Sequence, residues 1–361
     1  VSDNRFGHTF RASAVRQDGH TLSNINSMLG TGRYRSTTAL DGDDRQRMDV
    51  ISLAYEFGSA ERWIDSGVVR SFWQQTEIDQ YTLDERAAAR TPVSIDRLFS
   101  YDQDIRGIEM NLWKNFSGDR ITHRVGVGIE YRDRRTEEFR DGLSSDLATG
   151  LQTNVLLGEV FPLRDFPISD TIESAAFIED TISIGENWKI IAALRADRYE
   201  LNPAVDAMYL ADYPDYDTIH LDESDLSPKL GVIYSITPEV DAYVQYSHGF
   251  RAPPHSDANV SLELPMFRVR AVPNPDLESE SSDGIDIGLR WYGLRSTARI
   301  SAFRTSYNNF IETKINIGVD PVSGYVQFQS QNIEDTTIEG IEAGWNVRFG
   351  DLEQFVLDGS A

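Results

Sequence analysis

Residues 117–132 read SGDRITHRVGVGIEYR, a tight turn followed by a strict alternation of two kinds of side chain. Every second position from Ile121 to Tyr131 is apolar or aromatic, apart from His123, and the positions between them are polar or glycine. A period of two is typical of a β-strand that has one apolar and one polar face. Ser117-Gly118-Asp119 supplies the residue types that form tight turns. The segment therefore predicts a strand that begins directly after a short turn.

The same alternation recurs along the whole chain, whereas helical periodicity is nowhere sustained. We predict about twelve strands from it. They lie near residues 5–16, 47–57, 66–75, 102–115, 120–133, 172–184, 188–200, 227–236, 241–249, 282–292, 296–310 and 336–348. Most are longer than the strands of soluble proteins, and their length suits a tilted strand that crosses a bilayer. The chain is therefore predicted to be all-β.

The connections between these strands alternate between short and long. The short turns lie near Gly58-Ser59, Ser117-Gly118-Asp119, Gly185-Glu186-Asn187, Thr237-Pro238-Glu239 and Gly293-Leu294. The long polar connections lie near 17–46, 76–101, 134–171, 201–226, 249–281 and 311–335. In an up-and-down meander this order places all short turns at one end, as in outer-membrane barrels. We therefore predict an antiparallel up-and-down transmembrane β-barrel.

A soluble β-sandwich would give the same period, because it buries one face of each sheet and wets the other. Strand length, the asymmetry of the connections and aromatic residues beside the short turns favour the barrel. These aromatic residues are Phe57, Trp63, Phe116, Trp188, Trp291, Tyr292 and Phe349. Ordinary enrichment of aromatics in strands is the alternative explanation of their placement. Because an open sheet edge is costly in lipid, we expect these strands to belong to a larger closed sheet.

Composition narrows the function classes. The 361 residues carry 58 acidic and 34 basic side chains, a net charge of −24, which argues against a nucleic-acid partner. The chain has no cysteine, so thiol chemistry and cysteine zinc sites are excluded. Asp41-Gly42-Asp43-Asp44 would suit calcium but matches no complete loop motif. Scans for nucleotide-binding, metalloprotease and nucleophile-elbow motifs are empty, and we predict no enzymatic activity.

One segment carries two distinctive motifs. A predicted strand reaches His248 and ends at Gly249, and Pro253 and Pro254 cannot continue a hydrogen-bonded ladder. A second pair of prolines follows in Pro273-Asn274-Pro275. Such prolines stiffen a long loop. From the residues alone, the simplest interpretation is a rigid loop at the end of a strand.

Phe250-Arg251-Ala252-Pro253 and Asn274-Pro275-Asp276-Leu277 resemble the paired boxes of TonB-dependent haem and haemoglobin receptors, often labelled haemoglobin/transferrin/lactoferrin receptors. The segments 161–167 (FPLRDFP) and 282–290 (SDGIDIGLR) resemble the same family in the same order. Asp276 departs from the asparagine that the second box usually has. The resemblance is strongest from about 160 to 350 and covers most of the chain.

The resemblance implies a 22-stranded barrel in the bacterial outer membrane, of which about twelve strands are present here. We accordingly expect residues 1–361 to be a partial barrel domain without the N-terminal plug and the last strands, cut from a longer protein. The resemblance also implies energy coupling through the TonB–ExbB–ExbD complex. Expected partners are therefore that complex, haem or haemoglobin, and outer-membrane lipid.

The expected function is active uptake of haem, taken from haemoglobin, with haem as cargo and no intrinsic cofactor. One alternative keeps the barrel and changes the cargo to a ferric siderophore or another nutrient. A second is a passive porin-like or surface-binding barrel. A third is a soluble β-rich binding protein or glycosidase.

Three residues are candidates for contact with haem. His255 is the only histidine between the two boxes, and its neutral imidazole could ligate haem iron or stay a solvated loop side chain. Arg251 could pair with a haem propionate or brace the loop against a carboxylate. His248 lies near the predicted mouth, but alternation with Val244 and Tyr246 places it on the apolar, outward face.

Overall fold

The computed structural model describes residues 2–5, 7–58, 63–87, 91–333, 335–349 and 353–360. For residues 2–5, 33, 349 and 353–360 it describes the backbone alone. The predicted turn residue Ser59 and the side chain of Phe349 lie outside this description.

Within the described residues the chain is built almost entirely of strands. They are β1 (Ser2–Arg5), β2 (His8–Asn24), β3 (Thr37–Gly58), β4 (Ser66–Arg86), β5 (Val93–Ser117), β6 (Ile121–Asp146), β7 (Gln152–Thr153), β8 (Val155–Leu156), β9 (Glu159–Val160), β10 (Ile168–Ile184), β11 (Trp188–Ala204), β12 (Leu221–Thr237), β13 (Val240–Arg251), β14 (Glu263–Leu264), β15 (Val269–Ala271), β16 (Glu280–Tyr292), β17 (Ser296–Asn308), β18 (Phe310–Val319), β19 (Val326–Ile333), β20 (Thr336–Phe349) and β21 (Glu353–Ser360). Short helices are α1 (Ala207–Asp212) and α2 (His255–Ala258), with 3₁₀ turns at Asn26–Met28, Gly32–Tyr34 and Pro265–Phe267.

One antiparallel sheet of 15 strands dominates the described part of the chain. Its order is β1-β2-β3-β4-β5-β6-β10-β11-β12-β13-β16-β17-β20-β21, with β7 added beside β6. Two small sheets, β14-β15-β19-β18 and β8-β9, lie in the long connections. The predicted all-β, antiparallel meander and its alternating connections are therefore confirmed.

The strands are longer than alternation predicted, and two more, β1 and β21, lie at the ends of the sheet. Much of the predicted connections 17–46, 76–101, 134–171 and 201–226 is strand. On β6, the outward positions after Tyr131 are Asp133, Arg135 and Glu137, so both faces are polar there. A strand that leaves lipid for water loses its apolar alternation, and pattern alone no longer identifies it.

The proposed calcium loop at 41–44 is also strand. Asp43 lies within β3, where its carboxylate is 2.8 Å from His20 Nε2 and 3.3 Å from Arg45 Nε. These partners occupy the oxygens that a cation would need. Within the described part of the chain, no group of three or more acidic or histidine side chains is arranged to hold a metal ion.

The apolar face of the large sheet is exposed rather than packed against a second sheet. Val244, Ile287 and Ile129 are 43%, 57% and 48% exposed. Others on this face are Ile51, Leu53, Ile108, Val127, Ile178, Leu194, Leu230, Ile285, Leu289, Ile300 and Ile341. A sandwich would bury these side chains, so the sandwich alternative is wrong. A continuous exposed apolar band is what a lipid-facing surface requires.

The large sheet is open in the described residues, because β1 and β21 form its two edges. Exposed aromatic side chains border the short turns, and Trp63 is 95% exposed. Trp188 and Tyr234 pack there with ring centroids 4.5 Å apart. Among the helices of the described residues, none has the length and apolar character needed to span a membrane.

The buried apolar residues lie at the other end, where the long connections fold together. One cluster joins Leu201, Ile219, Leu221 and Ala258, and a second joins Leu156, Phe161 and Leu163. We call the connections 147–167, 205–220, 252–279 and 309–335 the outer cap. The membrane-facing part of the large sheet thus has no apolar core, whereas the outer cap and the strand ends beside it contain two buried apolar clusters.

Candidate functional site

The connection 252–279, here called the box loop, begins within the first box and contains the second. Arg251 Nη1 donates to Glu280 Oε1 at 3.1 Å, and its Nη2 lies 3.7 Å from Asp257 Oδ2. Glu280 pairs with Arg251 across β13 and β16, while Asp257 belongs to α2. Arg251 therefore links β16 to α2 at the base of the box loop.

His255 begins α2 and is not a freely solvated side chain. Its ring packs against Phe166, with centroids 4.8 Å apart. Burial and, to a lesser extent, the nearby Arg134 guanidinium lower the pKa of His255 to about 4. The imidazole is therefore neutral at physiological pH, the form that ligates iron. Phe166 belongs to the 161–167 segment, so the structure joins two separate motifs at this histidine.

The box loop is fastened to its neighbour 205–220 by two side chains. Asn259 is fully buried, and its amide accepts from Ile219 N at 2.7 Å and donates to Ile219 O at 2.9 Å. Ser261 Oγ lies 2.7 Å from Tyr209 Oη. The backbone of Ser261 also donates to Asp165 O at 2.6 Å. These bonds tie three loops of the outer cap into one body.

We expect Asn259→Ala to open the 205–220 connection. The substitution leaves the Ile219 amide and carbonyl buried without partners, at a cost of about 2 kcal/mol. That energy corresponds to about a 30-fold rise in local opening. Chymotrypsin should then cleave at Tyr213 or Tyr216 about that much faster than in the wild type. Asn316→Ala, an exposed asparagine on β18, should leave the rate unchanged; equal rates in all three proteins would contradict the assignment.

The second box fastens the box loop to the β18–β19 hairpin. Asn274 Nδ2 donates to Ser330 O at 2.8 Å, and Asn274 Oδ1 accepts from Asp276 N at 3.0 Å. Asn332 accepts from Glu278 N at 2.8 Å and donates to Glu278 O at 2.9 Å. Leu277 is 4% exposed. The motif is thus a turn held by its asparagine and anchored by its leucine.

Asp276, the box position that departs from the family pattern, does not use its side chain to hold the turn. The side chain of Asp276 is exposed, and its contribution to the turn is its backbone amide. An asparagine or aspartate at this position would keep that bond.

His248, on β13, contacts both β12 and β16 at the point where the pairing of β12 with β13 ends. Their pairing ends at Lys229 and Ser247. Beyond it, His248 Nδ1 lies 3.0 Å from Asp283 Oδ1 and Nε2 lies 3.6 Å from Asp225 Oδ1. The register matches the outward position expected from alternation, since His248 faces Asp283. The ring is nevertheless enclosed between carboxylates, because the separation of the strands lets it turn toward β12.

A cavity of about 550 Å³ lies on the polar face of the sheet beneath the first box. Its lining includes Phe72, Glu109, Glu130, Arg132, Glu173, Arg195, Asp197, Tyr199, His248, Phe250 and Ala252. Arg195 donates to Glu130 at 2.8 Å and to Asp197 at 2.9 Å. Arg132 donates to Glu173 at 3.1 Å. The first box therefore joins the outer cap to a charged cavity, and three of the predicted residues, His248, Phe250 and Ala252, line it.

The structure places the second box and His255 in the box loop and Arg251 at its base, but the predicted histidines have different surroundings. His255 packs against Phe166 within the cap, whereas His248 lines the cavity. Asn259 and Asn332 were not expected from the sequence. Neither lies in a recognisable motif, and each contacts a segment distant along the chain.

Comparison with known proteins places these features in a family. A family model described as "TonB dependent receptor-like, beta-barrel" matches residues 2–361. The match spans nearly the whole chain, from the strands before the cap to the end of the sheet.

Two curated proteins are similar in sequence over different lengths. A probable hemoglobin and hemoglobin-haptoglobin-binding protein 1 of Haemophilus influenzae is 28% identical over 130 residues, covering 35% of this chain and 12% of that protein. Lactoferrin-binding protein A of Neisseria meningitidis serogroup B is 22% identical over 379 residues, covering 91% of this chain and 39% of that protein. The chain thus spans well under half the length of both relatives.

A solved structure shares the fold. The Serratia marcescens hemophore receptor HasR, solved as a double mutant with its hemophore HasA and heme, has a TM-score of 0.57 at 16% identity. The match covers 97% of this chain and 58% of that one. At this identity the similarity concerns the fold.

Proposed function

This chain belongs to the TonB-dependent receptor-like β-barrel family, and from that premise we propose that it forms the wall and outer cap of a receptor for haem. Members of the family are outer-membrane transport receptors rather than enzymes, so the chain is an outer-membrane protein. What we propose beyond this is the cargo, its source and the energy-coupling partner.

The observation that carries the proposal is the position of the two boxes. The first box lies between the cap and the cavity, and the second fastens the box loop to the β18–β19 hairpin. A ligand held by the cap would therefore lie directly above the charged cavity. Such an arrangement suits capture followed by transport, and nothing in it requires covalent chemistry.

We propose haem as the cargo because the Haemophilus relative is named for haemoglobin and the HasR structure contains heme. Within the cap, His255 is the candidate iron ligand, because its imidazole is neutral and lies inside the box loop. Reaching the iron requires the ring to leave Phe166. Arg251 is already paired with two carboxylates, so we assign it to bracing rather than to a propionate.

The test is a haemin titration of the full-length receptor in detergent. We expect a Soret shift with a dissociation constant in the micromolar range or tighter, about −8 kcal/mol or better. His255→Ala should weaken binding at least tenfold, whereas His220→Ala, an exposed histidine of the cap, should leave it unchanged. No shift at micromolar haemin would refute the cargo. An unchanged shift in His255→Ala would refute the ligand alone.

A lactoferrin-derived cargo is the second candidate, because the lactoferrin-binding relative aligns with 91% of this chain. Growth with haemoglobin, lactoferrin or a ferric siderophore as sole iron source separates the possibilities. Growth on haemoglobin alone supports haem. Growth on lactoferrin or a siderophore alone refutes it.

We further propose that residues 1–361 are one part of a longer receptor that includes a plug and couples to TonB, ExbB and ExbD. The open sheet and the partial coverage of its relatives support this arrangement. Uptake that persists after deletion of TonB would instead favour a passive barrel.

A further inference from the structure

A group of buried carboxylates lies where β6 meets the connection 147–167. Glu138 is 2% exposed, and its Oε2 accepts from Asp165 N at 2.7 Å. Its other oxygen, Oε1, is buried without a hydrogen-bond partner among the described residues. An unpaired buried oxygen is costly when the carboxyl is ionised. Neither the boxes nor the proposed cargo accounts for it.

The basic side chains near this group are too few to neutralise all of its carboxylates. Arg140 Nη1 donates to Glu159 Oε1 at 3.0 Å and to Asp165 Oδ1 at 2.7 Å. Arg164 donates to Asp206 at 2.9 Å and to the backbone oxygen of Glu138, so its charge is largely directed elsewhere. Three carboxylates, those of Glu138, Glu159 and Asp165, therefore share chiefly one guanidinium.

The same contacts hold the cap together. Arg140 and Leu163 exchange two backbone hydrogen bonds of 2.9 Å, which dock the 147–167 connection on β6. Asp165 O in turn accepts from Ser261 N of the box loop. Loss of this docking would release the box loop from one of its neighbours.

We propose that Glu138 and Asp165 form a proton-dependent latch that docks the 147–167 connection on β6 and, through Ser261, the box loop. When the pair holds a proton, the connection is closed. When both carboxyls ionise, their repulsion and the unsolvated oxygen favour opening and hydration. The latch acts on the cap whatever the cargo is.

The charged and titratable groups around the latch come from every element that packs on it. β6 contributes Arg140, and β9 contributes Glu159. The connection itself contributes Arg164, the end of α1 contributes Asp212 with Tyr213 beyond it, and β18 contributes Lys314. Arg140, Arg164 and Lys314 favour the ionised carboxyls, whereas burial and the other acids oppose ionisation.

Burial, the largest influence, and repulsion from Asp165 together raise the pKa of Glu138 from 4.5 to about 7. Burial also raises the pKa of Asp165. Both groups lie beyond the lipid-facing part of β6, which ends near Tyr131. A folded-state pKa above the ordinary value means that the closed form is fully favoured below 4.5 and loses that advantage as pH rises through about 7.

The test is hydrogen exchange of residues 156–166 in the full-length receptor at pH 5.5 and 8, corrected for the intrinsic pH dependence of exchange. We expect about 30-fold more opening at pH 8, because the closed form loses its advantage over about 1.5 pH units between pH 5.5 and the pKa of Glu138, and each unit corresponds to a factor of ten. Glu138→Gln cannot ionise, so its segment should stay protected at pH 8 and change less than about threefold between the two conditions.

Asp141→Asn, an exposed carboxylate on the same strand, is the matched control and should respond to pH like the wild type. Asp165→Asn provides a second latch variant if Glu138→Gln does not fold, and it should reduce the response similarly. Opening of the wild type that does not depend on pH would overturn the proposal. So would a full wild-type response in either folded latch variant.

Discussion

Replacing Val244 by arginine is expected to prevent stable folding of the receptor in the membrane. Val244 is 43% exposed on the apolar face, where it pairs with Val232 and Ile287 in the middle of three adjacent strands. An arginine facing lipid near the bilayer midplane costs about 2–4 kcal/mol. We expect the folded, heat-modifiable fraction in detergent or vesicles to fall accordingly.

The neighbouring position supplies the control. Gln245 lies on the opposite face of β13, paired with Gly231 and Asp286 on the polar side of the sheet. Gln245→Arg introduces the same charge into a wet interior, and we expect an effect of about 1 kcal/mol or less. If the two variants lost folded protein equally, the assignment of one face to lipid would be wrong.

The second large effect is expected from Arg140→Met. The Arg140 side chain is 19% exposed and serves carboxylates that are 7% and 21% exposed, those of Glu159 and Asp165. Its guanidinium also lies 5.5 Å above the ring of Phe161. Removing one partner of a buried ion pair leaves uncompensated charge and costs about 3–5 kcal/mol. Methionine keeps most of the volume, so the loss is mainly electrostatic.

The measurement is limited proteolysis of the 147–167 connection, where trypsin can cut after Arg164. We expect cleavage in Arg140→Met under conditions that leave the wild type intact. Arg16→Met is the matched control, because Arg16 also pairs with an aspartate but is 61% exposed, and such pairs contribute little. Resistance of Arg140→Met to trypsin would show that the ion pairs do not hold the connection.

The wall of the receptor was predictable from the sequence because lipid imposes a local rule. Most outward positions are apolar where the strand crosses the bilayer, so Ile121, Val127 and Ile129 reveal their strand without knowledge of its partners. Turn residues such as Gly185, which has a φ of +59°, mark the short connections in the same local way.

The upper parts of the strands were missed because that rule ends at the membrane surface. Above Tyr131, both faces of β6 meet water, other loops or polar neighbours, so charged residues follow without a period. The backbone pairing nevertheless continues to Asp146. Pairing depends on the neighbouring strands and not on side-chain alternation, so a single segment does not disclose it.

The contacts of the cap were missed for a related reason. Asn259 and Ile219 are 40 positions apart, and Asn274 and Ser330 are 56 apart. Short-range patterns do not reveal such pairs. The boxes could be located through their family resemblance. The hydrogen bonds by which they join neighbouring loops became visible only in the three-dimensional structure.

The unequal height of the wall has a consequence for encounters at the cell surface. β2 to β6 rise well past the lipid, and β6 alone continues from Arg132 to Asp146, about 50 Å of strand. β13 and β16 stop at Arg251 and Glu280, close to the first box. A bulky molecule diffusing toward the cap is therefore screened on one flank and must arrive from the lower side. That restriction narrows the productive angles of collision and slows association before any specific contact forms.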